Sequence, residues 1–148
     1  MGGLFHILFV DDDSNDRELF RLAVRKAALN VSVHTAVDGS EAIAYLEGAG
    51  IYADRGHYPF PDLVILDLKM PLVNGFEFLA WRGRSPQFAS IPVVVLSGSG
   101  RADDVERAKS MGANQYLTKP NSLEDLARVL SGTAYLWAKE PGSEQAPL

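Results

Sequence analysis

The sequence contains no cysteine, which excludes disulfide bonds, thiol nucleophiles and thiolate metal sites. No apolar run approaches the ~20 residues that a membrane helix needs, and the start of the chain carries no positively charged signal region. Positive charge is also scarce, since 14 Lys and Arg residues face 19 Asp and Glu residues, a formal net charge of -5. A nucleic-acid partner requires a basic surface, so this balance argues against one. These absences predict a cytoplasmic protein without membrane or nucleic-acid partners.

Five short apolar segments alternate with five segments of helical periodicity along the 148 residues, which suit one globular domain. The predicted strands are residues 6–10, 31–36, 62–67, 91–96 and 114–118. The predicted helices are residues 15–28 and 41–47, one that begins at Asn74-Gly75 and ends near 83, residues 102–111, and a last one from Ser122 to Trp137. Such alternation indicates a parallel sheet covered by helices on both faces. The flavodoxin-like strand order 2-1-3-4-5 is the natural one for five strands, so we predict a three-layer (βα)5 fold.

Two segments fall outside this alternation. Residues 49–61 form an aromatic-rich connection that is long for a structureless loop. It is either a surface extension or ordered against the body of the domain. Residues 139–148 have no periodicity and are predicted to be a disordered tail, which leaves residues 5–138 as the domain.

Polar side chains stand where four of the predicted strands end, and in a parallel sheet these ends lie along one edge. They are Asp11, Asp12 and Asp13 after strand one, Asp67 after strand three, Ser97 at strand four and Lys119 after strand five. Asp67 by itself would most simply be a turn residue. Several carboxylates close together repel one another unless a cation lies among them. Because only hard oxygen ligands are present, the expected cation is Mg²⁺, with Mn²⁺ or Ca²⁺ as substitutes.

A carboxylate, a divalent cation, a lysine and a small hydroxyl together suit phosphoryl transfer to the carboxylate. The lysine and the cation neutralise the transferring group, and the hydroxyl hydrogen-bonds one of its oxygens. Gly98, directly after Ser97, leaves room beside that group, and its N–H is a candidate donor to it.

This set of residues, at these spacings, resembles the receiver domain of two-component response regulators. The resemblance implies that Asp67 accepts the phosphoryl group from a sensor histidine kinase and that the domain loses it slowly, without turning over an external substrate. It implies metal ligation by Asp12, by Asp11 mainly through water, by Asp67 and by the carbonyl of Lys69. It further implies switch roles for Ser97 and Tyr116, pairing of Lys119 with the phosphoryl group, and a cis bond before Pro120.

Several features narrow the resemblance or depart from it. Ser97 replaces the commoner threonine, Lys69 and Ser99 stand at positions that resemble the family's tuners of phosphate lifetime, and Asp13 is an additional acid, interpreted as a loop residue or cap. The long 49–61 segment, the last helix with Trp137 and the lack of an output domain resemble the small single-domain regulators that serve bacterial phytochromes.

Alternative functions and assembly are also open at this point. The last helix has more apolar residues than one inward stripe needs, which predicts a homodimer through the face made by helix 4, strand 5 and helix 5. The residues behind this prediction are Leu126, Val129, Leu130 and Trp137. A phosphohydrolase similar to the haloacid dehalogenases would need an acid where Lys69 stands. An interaction module that is never phosphorylated would not need the complete set of site residues.

Overall fold

The computed structural model describes residues 4–137, and of 134–137 it describes the backbone alone. The predicted five-stranded parallel sheet is confirmed, with strand order β2-β1-β3-β4-β5. The strands are β1 Phe5–Val10, β2 Val31–Ala36, β3 Leu63–Leu66, β4 Val93–Ser97 and β5 Gln115–Thr118. The helices are α1 Ser14–Lys26, α2 Gly39–Glu47, α3 Gly75–Arg84, α4 Ala102–Ser110 and α5 Leu123–Trp137. The predicted tail 139–148 and the side chain of Trp137 lie outside the described residues.

Alternating side chains of the strands pack against helices on the two faces of the sheet. In β1, Ile7 and Phe9 belong to the core that is shared with α1 and α5, whereas Leu8 and Val10 belong to the core under α2, α3 and α4. The central strands β3 and β4 are buried throughout, as expected for parallel strands covered on both faces. No helix in the described part of the chain is long and apolar enough to cross a membrane.

Side-chain caps set the starts of the helices close to the carboxyl end of the sheet. The cap of α1 is Asp13, one of the two roles expected for this residue from sequence, because its Oδ1 accepts hydrogen bonds from the backbone N–H groups of Asn15 and Asp16 at 2.8 and 3.3 Å. Asp38 caps α2, which therefore begins two residues before the predicted Glu41. These caps satisfy N–H groups that have no partner within the helix.

The 49–61 segment is ordered against the body of the domain, the second of the two alternatives open from sequence. It contains a short 3-10 helix, Gly50–Ala53. The guanidinium of Arg55 donates hydrogen bonds to the carbonyls of Tyr45 and Leu46, both at 2.9 Å, which satisfies the carboxyl end of α2. The hydroxyl of Tyr52 donates to Glu41 at 3.0 Å. The segment thus connects both ends of α2.

Candidate functional site

The backbone hydrogen bonds of the sheet extend one residue past the strands to the acids and the lysine predicted to form a site. The N–H of Asp11 donates to the carbonyl of Ala36 at 3.1 Å, and the N–H of Asp67 donates to that of Val10 at 3.0 Å. The N–H of Lys119 donates to the carbonyl of Ser97 at 2.8 Å. The main chain of all three residues is therefore held as firmly as that of the strands that precede them.

Three of the predicted acids converge at this edge. Carboxylate oxygens of Asp11, Asp12 and Asp67 all lie within 4.8 Å of one another. Asp11 is 0% exposed and Asp67 is 7% exposed, whereas Asp12 is open to solvent. Backbone N–H groups support the two buried carboxylates, from Asp13 to Asp11 Oδ1 at 3.0 Å and from Leu68 to Asp67 Oδ1 at 2.7 Å.

The ammonium of Lys119 lies among the acids. Its Nζ is 2.8 Å from Asp11 Oδ2, 3.0 Å from Asp67 Oδ2 and 2.7 Å from Asp16 Oδ2. Burial alone would lower the pKa of Lys119, but its close contacts with these three carboxylates outweigh burial and raise the pKa above its usual value. The lysine is therefore held in its charged form.

Asp16 is the site residue that the sequence reasoning missed. Asp16 lies in the first turn of α1, where negative charge is usual because it stabilises the helix N-terminus. An acid at this position therefore does not by itself indicate a role in a site. The signal that could have found it is the cap at Asp13. Once the helix is taken to begin there, its first turn lies directly beside the strand ends, and Asp16 is an acid of that turn.

The cluster fits a divalent cation. Asp11 Oδ2 is buried and, among the described residues, receives no aligned hydrogen bond, although Lys119 Nζ is an ion-pair partner at 2.8 Å. Burial raises the pKa of Asp11, and Lys119 opposes this shift only in part. Three carboxylates contact the one ammonium, and Asp12 adds a fourth carboxylate to the cluster. Negative charge in this excess, on hard oxygen atoms, is what a small divalent cation neutralises.

Ser97 and Tyr116 are linked through Ser99 in the loop after β4. Ser97 is 1% exposed, and its Oγ accepts a long hydrogen bond of 3.4 Å from the N–H of Ser99. The half-buried Tyr116 donates its hydroxyl to the carbonyl of Ser99 at 2.7 Å. The side chain of Ser99 donates instead to Asp104 in α4 at 2.6 Å. This loop therefore joins the predicted switch hydroxyl and the predicted switch aromatic.

The remaining predicted residues have mixed outcomes. The prediction of a cis bond before Pro120 is wrong, since the described chain contains no cis peptide. The trans form is the intrinsically favoured one, and with it Lys119 Nζ already reaches Asp67. A Cβ at the exposed Gly98 would meet nothing within 4 Å, so no close packing requires glycine there. Lys69 is exposed in the loop after β3, and a metal-ligating role for its carbonyl stays a prediction.

Glycine is sterically required where α3 begins. A Cβ at Gly75 would lie 2.5 Å from the carbonyl oxygen of Asp67 and 2.7 Å from the Cα of Leu68. The N–H of Gly75 also donates to the carbonyl of Leu68 at 2.9 Å. The start of α3 is thus pressed against the main chain that carries Asp67, and a side chain at Gly75 would displace it.

The fold and the site together define a class, the flavodoxin-like α/β proteins that gather acids, a hydroxyl and a lysine at the carboxyl ends of their strands. Comparison with known proteins narrows this class. The profile described as "Response regulator receiver domain" matches residues 7–131. The chain belongs to this family, whose members are phosphorylated on an aspartate by a kinase, and membership implies a sensor kinase as a partner.

Individual relatives point to phytochrome-associated members of the family. The chain is 34% identical over 131 residues to Response regulator Rcp1 of Synechocystis sp., with 88% of this chain and 87% of that protein covered. It is similar to the crystal structure of the phosphorylated cyanobacterial phytochrome response regulator RcpA, with 34% identity, a TM-score of 0.83, and 99% and 100% of the two chains covered. The Mn²⁺-bound form of Rcp1 is similar at 32% identity and a TM-score of 0.79, with 97% and 99% covered.

Proposed function

We propose that Asp67 is the residue that accepts the phosphoryl group, from the phosphohistidine of a sensor kinase. The observation that carries this proposal is the position of its carboxylate, 3.0 Å from Lys119 Nζ and within 4.8 Å of the oxygens of Asp11 and Asp12. Asp67 alone among these acids ends the central strand β3, with its main chain fixed by the sheet and by α3. A rigidly placed nucleophile needs little reorganisation before it reacts.

In the proposed reaction, a carboxylate oxygen of Asp67 attacks phosphorus and forms a P–O bond while the P–N bond to the kinase histidine breaks. The electron pair of that bond returns to the imidazole. Asp11, Asp12, Asp67 and the carbonyl of Lys69 would hold Mg²⁺, which supplies positive charge to the phosphoryl oxygens. Lys119 supplies a second positive charge from the protein, and its raised pKa keeps that charge in place at neutral pH.

The readout is proposed to pass through Ser97 and Tyr116. The hydroxyl of Ser97 would turn toward the new phosphoryl group, and its loop would move with it. Tyr116 is bound to that loop through the carbonyl of Ser99, so the movement would change its position. The surface that changes is the one formed by α4, β5 and α5, which we propose binds an output partner.

A homodimer through that surface has less support than the sequence suggested. Leu126 and Leu130 are 5% and 1% exposed because they pack inward against the sheet and α1. Among the apolar residues that motivated the dimer and whose side chains the structure describes, only Val129 is not fully buried. Val129 is half-buried. Light scattering with and without beryllofluoride tests it, and a monomeric mass in both conditions would rule it out.

The phosphoacceptor is tested with radiolabelled acetyl phosphate and Mg²⁺. We expect the wild-type protein to be labelled and Asp67→Asn to be unlabelled, because the amide is not a nucleophile. The matched control is Asp62→Asn, the same substitution at the opposite end of the strand, where the side chain accepts a hydrogen bond from the N–H of His6. Asp62→Asn should be labelled like the wild type. Equal labelling of Asp67→Asn would contradict the proposal.

A phytochrome-type histidine kinase is the proposed phosphodonor, because the similar proteins described above include phytochrome response regulators. Phosphotransfer from such a kinase should be much faster than transfer from a histidine kinase of unrelated sensor type at the same concentration. Equal rates from both kinases would remove the phytochrome assignment and leave the role of Asp67 unchanged.

A further inference from the structure

The partners of Lys119 include one carboxylate that has no place in the proposed metal site. Asp16 Oδ2 lies 2.7 Å from Lys119 Nζ, closer than the oxygens of Asp11 or Asp67. The two residues are 103 positions apart in sequence and join the first turn of α1 to the end of β5. The side chain of Asp16 is 33% exposed. The lysine is thus shared between the acids of the site and an acid at its rim.

The main chain around Asp16 is fixed, so this contact is built into the fold. The cap Asp13 accepts hydrogen bonds from the N–H groups of Asn15 and Asp16. The guanidinium of Arg17 donates to the carbonyl of Asp11 at 2.8 Å, which ties the same turn of helix to the end of β1. Only the two rotatable side-chain bonds of an aspartate orient the carboxylate of Asp16 on this fixed backbone.

An incoming phosphoryl group needs the same ammonium that Asp16 holds. The phosphoryl oxygens carry negative charge when transfer begins, so they are attracted to Lys119 and repelled by a carboxylate beside it. We propose that Asp16 is a positioning residue that binds Lys119 in the resting protein and competes with the phosphoryl group for it, which slows phosphoryl acceptance by Asp67. This inference rests on the proposed function of Asp67.

Two simpler roles for Asp16 make different predictions. If Asp16 only complements the dipole of α1, its removal changes stability and leaves the rate of phosphoryl acceptance unchanged. If Asp16 only orients Lys119 productively, removal of its hydrogen bond slows the reaction, and an amide that keeps the hydrogen bond restores the wild-type rate. Competition predicts the opposite sign, a faster reaction whenever the negative charge is removed.

The experiment compares Asp16→Asn, Asp16→Ala and Glu18→Gln with the wild type. The asparagine retains an oxygen that accepts a hydrogen bond from Lys119, and the alanine does not. Glu18 is exposed on the same helix, so Glu18→Gln removes the same charge away from the lysine. The rate of labelling by acetyl phosphate is measured at saturating Mg²⁺, which prevents any change in metal affinity from altering the rate, and at low and high salt.

We expect both Asp16 variants to be labelled about three- to tenfold faster than the wild type at low salt, the size of one partly screened charge at a few ångströms. The gain should shrink at high salt, because Asp16 is partly exposed, and Glu18→Gln should match the wild type. A slower Asp16→Ala with a normal Asp16→Asn, unchanged rates, or an equal gain in Glu18→Gln would each overturn the inference alone. A wild-type protein that is not labelled would overturn the proposed function and this inference together.

Discussion

Two cations, one at each end of the sheet, have opposite surroundings: Lys119 is part-buried among acids and Arg82 is buried among neutral oxygens. At the carboxyl end, Lys119 lies among three carboxylates. At the amino end, Arg82 of α3 is 5% exposed and donates to the carbonyl of Ile91 through both Nε and Nη2 and to the carbonyl of Gly112 at 3.2 Å. The partners of Arg82 in the described part of the chain are neutral oxygens, and burial lowers its pKa.

The difference separates a site from a structural connection. Arg82 binds the turns before β4 and β5 to the end of α3, and its hydrogen bonds leave those carbonyls satisfied. Lys119 lies in excess negative charge, and Asp11 Oδ2 beside it has no aligned donor in residues 4–137. The acids around Lys119 carry negative charge that the protein alone does not neutralise, so they can bind a positively charged ligand. The hydrogen bonds of Arg82 are complete within the protein, so they contribute only to stability.

Replacing Lys119 should have the largest effect, and on reactivity rather than stability. Lys119→Met retains length and removes the charge, so labelling of Asp67 by acetyl phosphate should fall about 10²–10³-fold, as when one transition-state donor is lost elsewhere. The measurement is the initial rate of labelling at saturating Mg²⁺. A variant that is labelled at the wild-type rate would show that Lys119 is no more functional than Arg82.

Replacing Arg82 should have the converse effect. Arg82→Met leaves the buried carbonyl of Ile91 without its two side-chain donors and removes a part-buried hydrogen bond to Gly112, which should lower the free energy of unfolding by about 3 kcal/mol. Urea denaturation measures this, with Arg84→Met as control because Arg84 is exposed on the same helix. Below its unfolding midpoint, Arg82→Met should be labelled at the wild-type rate. A large loss of labelling in the folded variant would contradict a purely structural role for Arg82.

The two ends should also respond differently to Mg²⁺. A cation that binds only the folded protein raises the free energy of unfolding, by about 1.4 kcal/mol at ten times its dissociation constant. Because the acids lie at the carboxyl end, Asp12→Asn should reduce this gain and Arg82→Met should retain it. Denaturation with and without Mg²⁺ measures the gain. A gain that is unchanged in Asp12→Asn would place the bound ion elsewhere.

The smallest expected effect is on the free energy of unfolding at acidic pH, and it arises at His34 in the edge strand β2. Burial, His6 and Arg21 lower the pKa of His34, whose Nε2 lies 3.3 Å from His6 Nδ1 and 3.2 Å from Ser32 Oγ. The folded protein therefore disfavours protonation of His34, so its contribution to stability is complete above the unfolded pKa of about 6.5 and decreases as the pH falls below it.

His34→Gln should flatten this decrease in unfolding free energy between about pH 6.5 and 5. Urea denaturation of the wild type and of His34→Gln at several pH values across this range measures the two slopes. Parallel slopes for the wild type and His34→Gln would contradict the assignment to His34.

The carboxyl end was more predictable from sequence than the amino end. Parallel strands bring their last residues to one edge, so Asp11, Asp67 and Lys119 converge wherever five such strands form. Asp16 was missed because it lies on a helix, where one residue of error in the start turns a side chain by about 100°. At the amino end, Arg82 and Arg55 bind main-chain carbonyls, which carry no signature in the sequence.

The backbone hydrogen bonds that extend the sheet to Asp11, Asp67 and Lys119 also predict a pattern of amide hydrogen exchange. The N–H groups of these three residues are bonded like those within the strands, so they should exchange with solvent as slowly as the core, through opening of the whole domain. A reactive site would then lie within the most slowly exchanging part of the protein. The phosphoryl group and the cation would then bind and dissociate while the backbone hydrogen bonds beneath them remain intact.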